Sequence, residues 1–206
     1  MYKILTVLCF LCFVLPAHSA QAEDIDTQYT KMVATSKDMP ADFDFAMARD
    51  LYTKTSFYAP YKTMVAKDFQ DFVSRRKVGE EKAMADMEKY ITNNFAMPEV
   101  HSQANTVYRD LNQQEQTVYH TWALSGLMKA LMTSGDGKSA ATAFHVVNVS
   151  EEALLTRGTG KIGAQRLDDK SVPGRVFDVL SISHYDGTKD DVWFDVTDIY
   201  SKAKPN

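Results

Sequence analysis

Beyond residue 12 the chain has no cysteine: Cys9 and Cys12 are the only two among its 206 residues. Whatever follows them must fold without disulfides, and neither a thiolate metal site nor a thiol nucleophile can be built there. An excess of positive charge is also missing. With 23 basic and 27 acidic residues the net charge is −4, which removes the polycationic face needed for a phosphate backbone and leaves no nucleic-acid partner. Six prolines and nine glycines are too few for a low-complexity chain. Three site signatures are absent as well: no His-Glu-x-x-His pair for zinc, no Gly-x-Ser-x-Gly turn for a nucleophilic serine, no Asp-x-Asp-x-Asp-Gly ladder for calcium. No metal, no cofactor and no assigned catalytic residue is therefore expected. What is present, 45% hydrophobic and 24% charged residues, is ordinary globular composition.

Residues 1–20 read MYKILTVLCFLCFVLPAHSA. Lys3 is a positive start, residues 4–15 form a nearly continuous apolar run, and Pro16 breaks it ahead of small residues at Ala17, Ser19, Ala20 and Ala22. This layout predicts a secretory signal peptide, cleaved between residues 19 and 22 and too short for a stable membrane anchor. Neither cysteine follows the small-residue run of a lipoprotein acceptor, so no lipid anchor is expected. The exported product, with 22 basic and 27 acidic residues, has the periplasm as its expected compartment.

Composition divides the remainder. All ten methionines lie at or before Met132, and eight of nine glycines at or after Gly126. The pattern predicts one α+β domain over 23–202, helical to about residue 134 and β from about 143, with N-terminal antiparallel helical hairpins, similar to a tetratricopeptide pair, packed on a small antiparallel sheet. Helices are expected over about 42–54 with Asp42 as cap, then 64–77, 80–95, from Pro98, and 113–133. From Thr117 to Ser134 only Lys129 is charged, which predicts a central helix covered on several sides. Strands are expected over 143–149, 162–167, 175–183 and 191–197, with Ser150 capping a short helical turn between the first two and Asp186-Gly187 forming a hairpin turn.

The candidate binding cluster is Asp136, Lys138, Ser139, His145, Glu151 and Glu152. These polar and ionisable residues crowd between an apolar helix and an apolar strand. Ser134-Gly135-Asp136-Gly137-Lys138-Ser139 imitates the end of a phosphate-binding loop, but Met132 stands where that motif needs its first glycine and the strand and helix come in reverse order. A mechanical reading places Gly135 just past a helix end in left-handed geometry. Between residues 168 and 198 eight aspartates face three basic residues, an acidic surface for solvent or for a basic partner.

Several segments together resemble a bacterial family of exported proteins classed as a domain of unknown function. They are Asp42-Phe43, Arg49, Leu51-Tyr52, Tyr58-Ala59-Pro60-Tyr61, the stretch from His101 through Tyr108-Arg109-Asp110-Leu111 and Tyr119-His120, the Ser134 to Ser139 loop, Thr142-Ala143-Phe144, Val146-Val147-Asn148-Val149, Glu151-Glu152 and Phe194-Asp195-Val196. Ala153 departs from the aromatic residue that commonly follows the glutamate pair in that family. The resemblance covers most of the chain after the signal and implies one domain and no particular reaction.

Two functional classes follow. The first is a non-enzymatic periplasmic binding or interaction module, of inhibitor or immunity type, whose partner is a protein or an envelope ligand. The alternative is a small envelope hydrolase using His145 with Asp136 and Glu152.

Overall fold

The computed structural model describes residues 24–203, and the predicted signal peptide lies outside them. Among the described residues the fold is α+β, with eight α-helices and a four-stranded mixed sheet. The first six helices are α1 (Ile25–Thr35), α2 (Phe45–Thr53), α3 (Val65–Lys77), α4 (Ala83–Asn93), α5 (Pro98–Asp110) and α6 (Gln114–Met132). Apolar spacing of 3.6 residues produces them, and their ends follow local chemistry. Asp24 accepts the Thr27 amide at 3.1 Å ahead of α1, and Pro98 takes the first position of α5, where its missing N–H costs nothing. The cap of α2 is Asp44, whose carboxylate accepts the Met47 amide at 2.8 Å; the expected cap, Asp42, is an exposed residue two positions earlier. Between α5 and α6, Asn112 adopts φ 56 and Gln113 donates its amide to the Tyr108 carbonyl at 2.9 Å, which turns the chain in three residues.

Helix α6 departs from its expected burial. Tyr119, Ala123, Leu127 and Leu131 are buried along one stripe, while Gln114, Val118, Thr121, Ser125, Lys129 and Met132 are exposed opposite them. Its scarcity of charge reflects an outer face of amides and hydroxyls, and not enclosure. This helix ties the two cores together. Tyr119 and Ala123 pack with Tyr29, Phe69, Met87 and Phe95 in the helical core, and Leu131 packs with Val146, Leu180, Phe194 and Ile199 under the sheet.

The C-terminal part is β1 (Phe144–His145), α7 (Val149–Thr156), β2 (Gly160–Asp168), β3 (Phe177–His184), β4 (Lys189–Asp195) and α8 (Thr197–Ala203), with strand order β1-β4-β3-β2. The strands β2, β3 and β4 are antiparallel as expected, and Gly187, at φ 87, makes the turn between the last two. The strand β1 differs in both length and direction. It pairs parallel to β4 through Phe144↔Phe194 and His145↔Asp195, so the sheet is mixed and not purely antiparallel. The strand expected over 143–149 stops early because the Val147 amide goes to the Glu151 carboxylate at 2.9 Å and Asn148 leaves the strand to cap α7, its side chain accepting the Ser150 amide at 2.8 Å. Asn148, and not Ser150, is therefore the cap. The edge strand β2 is exposed on both faces and carries a bulge between Ile162 and Gln165, a device that discourages edge-to-edge pairing.

Candidate functional site

The loop from Ser134 to Ser139 is a structural turn folded onto the residues after it. The amides of Asp136 and Gly137 both donate to the Thr142 carbonyl, at 2.9 and 2.8 Å, and the Gly137 carbonyl accepts from Trp193 at 2.8 Å. The Asp136 carboxylate accepts the Lys138 amide at 3.0 Å, and bonds from Thr142 and Lys138 hold its pKa below the ordinary aspartate value. The Ser139 hydroxyl lies 3.1 Å from that of Thr142, and the Lys138 ammonium is open to solvent. Gly137 holds the left-handed conformation, at φ 69. Gly135 serves close approach instead: a Cβ there would stand 2.4 Å from the carbonyl oxygens of both Thr142 and Ala143. Neither backbone oxygen can yield cheaply, so Gly135→Ala is expected to cost about 1–3 kcal/mol. Urea unfolding of the variant checks this, and an unchanged midpoint would count against the packed-turn account.

Glu151 belongs to a buried ion pair. Its carboxylate receives Arg49 of α2 in a fork, Nη1 to Oε1 at 2.5 Å and Nη2 to Oε2 at 3.0 Å, and both residues are almost wholly buried. The remaining bonding capacity is also used: Arg49 Nη2 donates to the His145 carbonyl at 2.7 Å, and Glu151 Oε2 accepts the Val147 amide. Four groups from α2, β1, the connector after it and the start of α7 are locked together, which is a structural clamp between the helical part and the sheet.

The imidazole of His145 faces Asp198 of α8, Nε2 to Oδ2 at 3.1 Å, with both side chains partly open. That bond holds the Asp198 carboxyl below its usual value. The nearby Ser134 hydroxyl is committed elsewhere, donating to the Leu131 carbonyl at 2.7 Å and accepting the His145 amide at 2.9 Å, so it is not aligned on the ring. Tyr58 is 4% exposed and among the described residues its hydroxyl has no hydrogen-bond partner; burial first, and then the charge of Asp198, push its pKa far up. A reactive nucleophile does not arise from such a phenol.

Glu152 lies in a different environment. It is 8% exposed, and among the described residues its carboxylate makes no hydrogen bond or ion pair, although that of the neighbouring Glu151 accepts three hydrogen bonds. It shares a pocket of ≈ 180 Å³ with Asp178 of β3, walled by Tyr61, Val149, Leu167 and Val196. Burial, with the Asp178 charge as the second cause, pushes Glu152 up to about 7. Asp178 is also raised by burial, against one opposing hydrogen bond from Gln165. A larger depression of ≈ 420 Å³ beside Lys37, Met39 and Val118 opens along the outer face of α6. Among the described residues no cluster of three or more His, Cys, Asp or Glu side chains is placed to hold a metal ion.

The model of a domain of unknown function, DUF4919, matches residues 19–204. The chain belongs to that family. No curated protein and no solved structure matches it.

In this DUF4919 chain the six sequence-derived candidates thus divide among separate surroundings: Asp136, Lys138 and Ser139 in the turn, Glu151 in the clamp, His145 on Asp198, and Glu152 in the acidic pocket. Arg49, Asp178 and Asp198 were not among those candidates. Arg49 had a local signal, as a cation on the stripe of α2 that carries Ala48, Leu51 and Tyr52. Asp178 had one too, standing inside the apolar run Phe177-Asp178-Val179-Leu180. The expected acidic surface is largely spent within the fold. Asp195 pairs with Arg175, Asp191 with Arg166, Asp190 with His184, and Asp168 and Asp186 accept turn amides.

Proposed function

We propose that this protein is an exported, non-enzymatic binding module of the periplasm whose partner is another protein or an envelope ligand. The observation that carries this reading is Glu152, a buried residue whose carboxylate has no partner among the described residues, at the wall of a pocket. Export is supported by the charged, apolar and small-residue layout of residues 1–20, and among the described residues no helix is long and apolar enough to cross a membrane. The hydrolase alternative draws on the partly open His145–Asp198 pair, but Ser134 is engaged with backbone and Asp136 is tied into its own turn.

Immobilised residues 23–206 incubated with bacterial envelope extract test the reading. The expected result is an envelope component retained above bare resin, released chemically unchanged, and retained equally by His145→Gln. Nothing retained above background would overturn the binding reading. Conversion of the component, abolished in His145→Gln, would establish the hydrolase instead.

A further inference from the structure

We infer that the pocket of Glu152 and Asp178 binds an alkylammonium group. This rests on the binding-module reading and names the ligand chemistry of its site. The fold shows how it neutralises buried carboxylates with its own cations. Glu151 receives Arg49 and the Val147 amide, and Asp195 receives Arg175 with the Thr197 hydroxyl and amide. Glu152 stands next to Glu151 on the same helix, is more than nine-tenths buried, and its carboxylate receives no bond from the described residues. A second carboxylate, Asp178, reaches the same cavity from β3. Two acids brought together from a helix and a strand, with no cation among the described residues paired to either, favour a positive ligand at this pocket.

The walls decide which cation. A calcium ion takes six to eight oxygens, and Val149, Leu167, Val196 and Ile199 provide apolar surface in place of ligands. An alkylammonium group fits both features. Its N–H donors suit carboxylates approaching from two elements, and its stem suits the aliphatic wall. Tyr61 and Tyr200 at the same cavity add aromatic surface of the kind that attracts organic cations. The cavity, ≈ 180 Å³, is smaller than a drug-sized site and matches the end of a side chain or of a slender amine.

The test uses methyl-resolved NMR of residues 23–206 at pH 8, titrated with n-butylammonium and with the uncharged n-butanol. Saturable shifts at the methyl groups of Val149, Leu167, Val196 and Ile199 are expected with the amine and not with the alcohol. Glu152→Gln, which removes charge and not volume, should weaken binding at least about tenfold while the protein stays folded by thermal melting. Leu167→Trp, which crowds the half-exposed mouth from the position paired with Asp178 and leaves both acids in the chain, should weaken it independently. A lysine-containing tripeptide binding more tightly than spermidine assigns the amine to a partner protein; the reverse order assigns it to a free polyamine. Absence of saturable shifts, or equal binding by Glu152→Gln, overturns the inference. If envelope capture survives in Glu152→Gln, only this inference falls and the binding-module reading stands.

Discussion

Replacing Arg49 with methionine is expected to cost about 3–5 kcal/mol of folding stability, the usual result of removing one partner from a buried ion pair. The side chain is 2% exposed and Glu151 0% exposed, so water cannot replace the lost guanidinium. Two bonds to Glu151 and one to the His145 carbonyl disappear together, and the carboxylate keeps only the Val147 amide. Glu151→Gln should fall in the same range at its lower end, because the amide oxygen still accepts from Val147 and one arm of Arg49. The double variant should lose less than the sum of the singles, since the second change removes a charge that the first stranded. Urea unfolding of the four proteins measures the cycle. Single-variant losses below about 1 kcal/mol would mean that the pair is hydrated and does not clamp the sheet to α2.

Acidification is expected to weaken the protein through two histidines in the helical core. His101 Nε2 lies 2.8 Å from the Phe95 carbonyl and must donate to it; its Nδ1 is then the acceptor for Nδ1–H of His120 at 2.9 Å. That arrangement needs the His101 ring neutral, and burial disfavours charge on either ring. Burial lowers His101 from 6.5 to about 4 and His120 from 6.5 to about 3, the latter with help from His101 itself. Below pH 6.5 the unfolded chain takes up protons that the folded chain refuses, so stability is full above that pH and declines toward the folded values. By pH 5 the two rings together remove about 4 kcal/mol, treated as one coupled pair.

Glu152 acts in the opposite direction. Its folded pKa, raised to about 7 from 4.5, means that the folded chain holds an extra proton between those values. Protonation there stabilises as pH falls, offsetting about 2–3 kcal/mol by pH 5. Asp178, raised and half-buried, contributes in the same sense at lower pH. Wild type should therefore lose only about 1–2 kcal/mol between pH 7 and pH 5, whereas Glu152→Gln should lose about 4. The same variant should be the more stable protein at pH 8, where wild type carries an unpaired buried charge. Denaturant midpoints across this range decide it; a flat profile for Glu152→Gln would show that the histidines are not held neutral.

How far local pattern reaches is visible along α2 to α7. Apolar spacing located α3 to α6 within a few residues, and Gly187 confirmed a turn read from Asp186-Gly187. Caps were less legible: Asp44 and Asn148 displaced Asp42 and Ser150, because several short polar side chains near a helix start can each bond its amides. The bareness of charge in α6 looked like enclosure and proved to be a neutral outer face.

Composition and periodicity thus settle the α+β class, helices α2 to α6 and most of the sheet, since backbone conformation answers to neighbours within a few positions, whereas α1 and α8 were not read from them. The fate of each charged side chain answers to distant ones. Glu151 and Glu152 are adjacent and chemically identical, and both open the same helix. Only the fold brings Arg49, 102 positions away, to the first and Asp178 to the second. One acid becomes a clamp and the other an open pocket wall, because a buried charge takes its properties from what tertiary packing sets beside it.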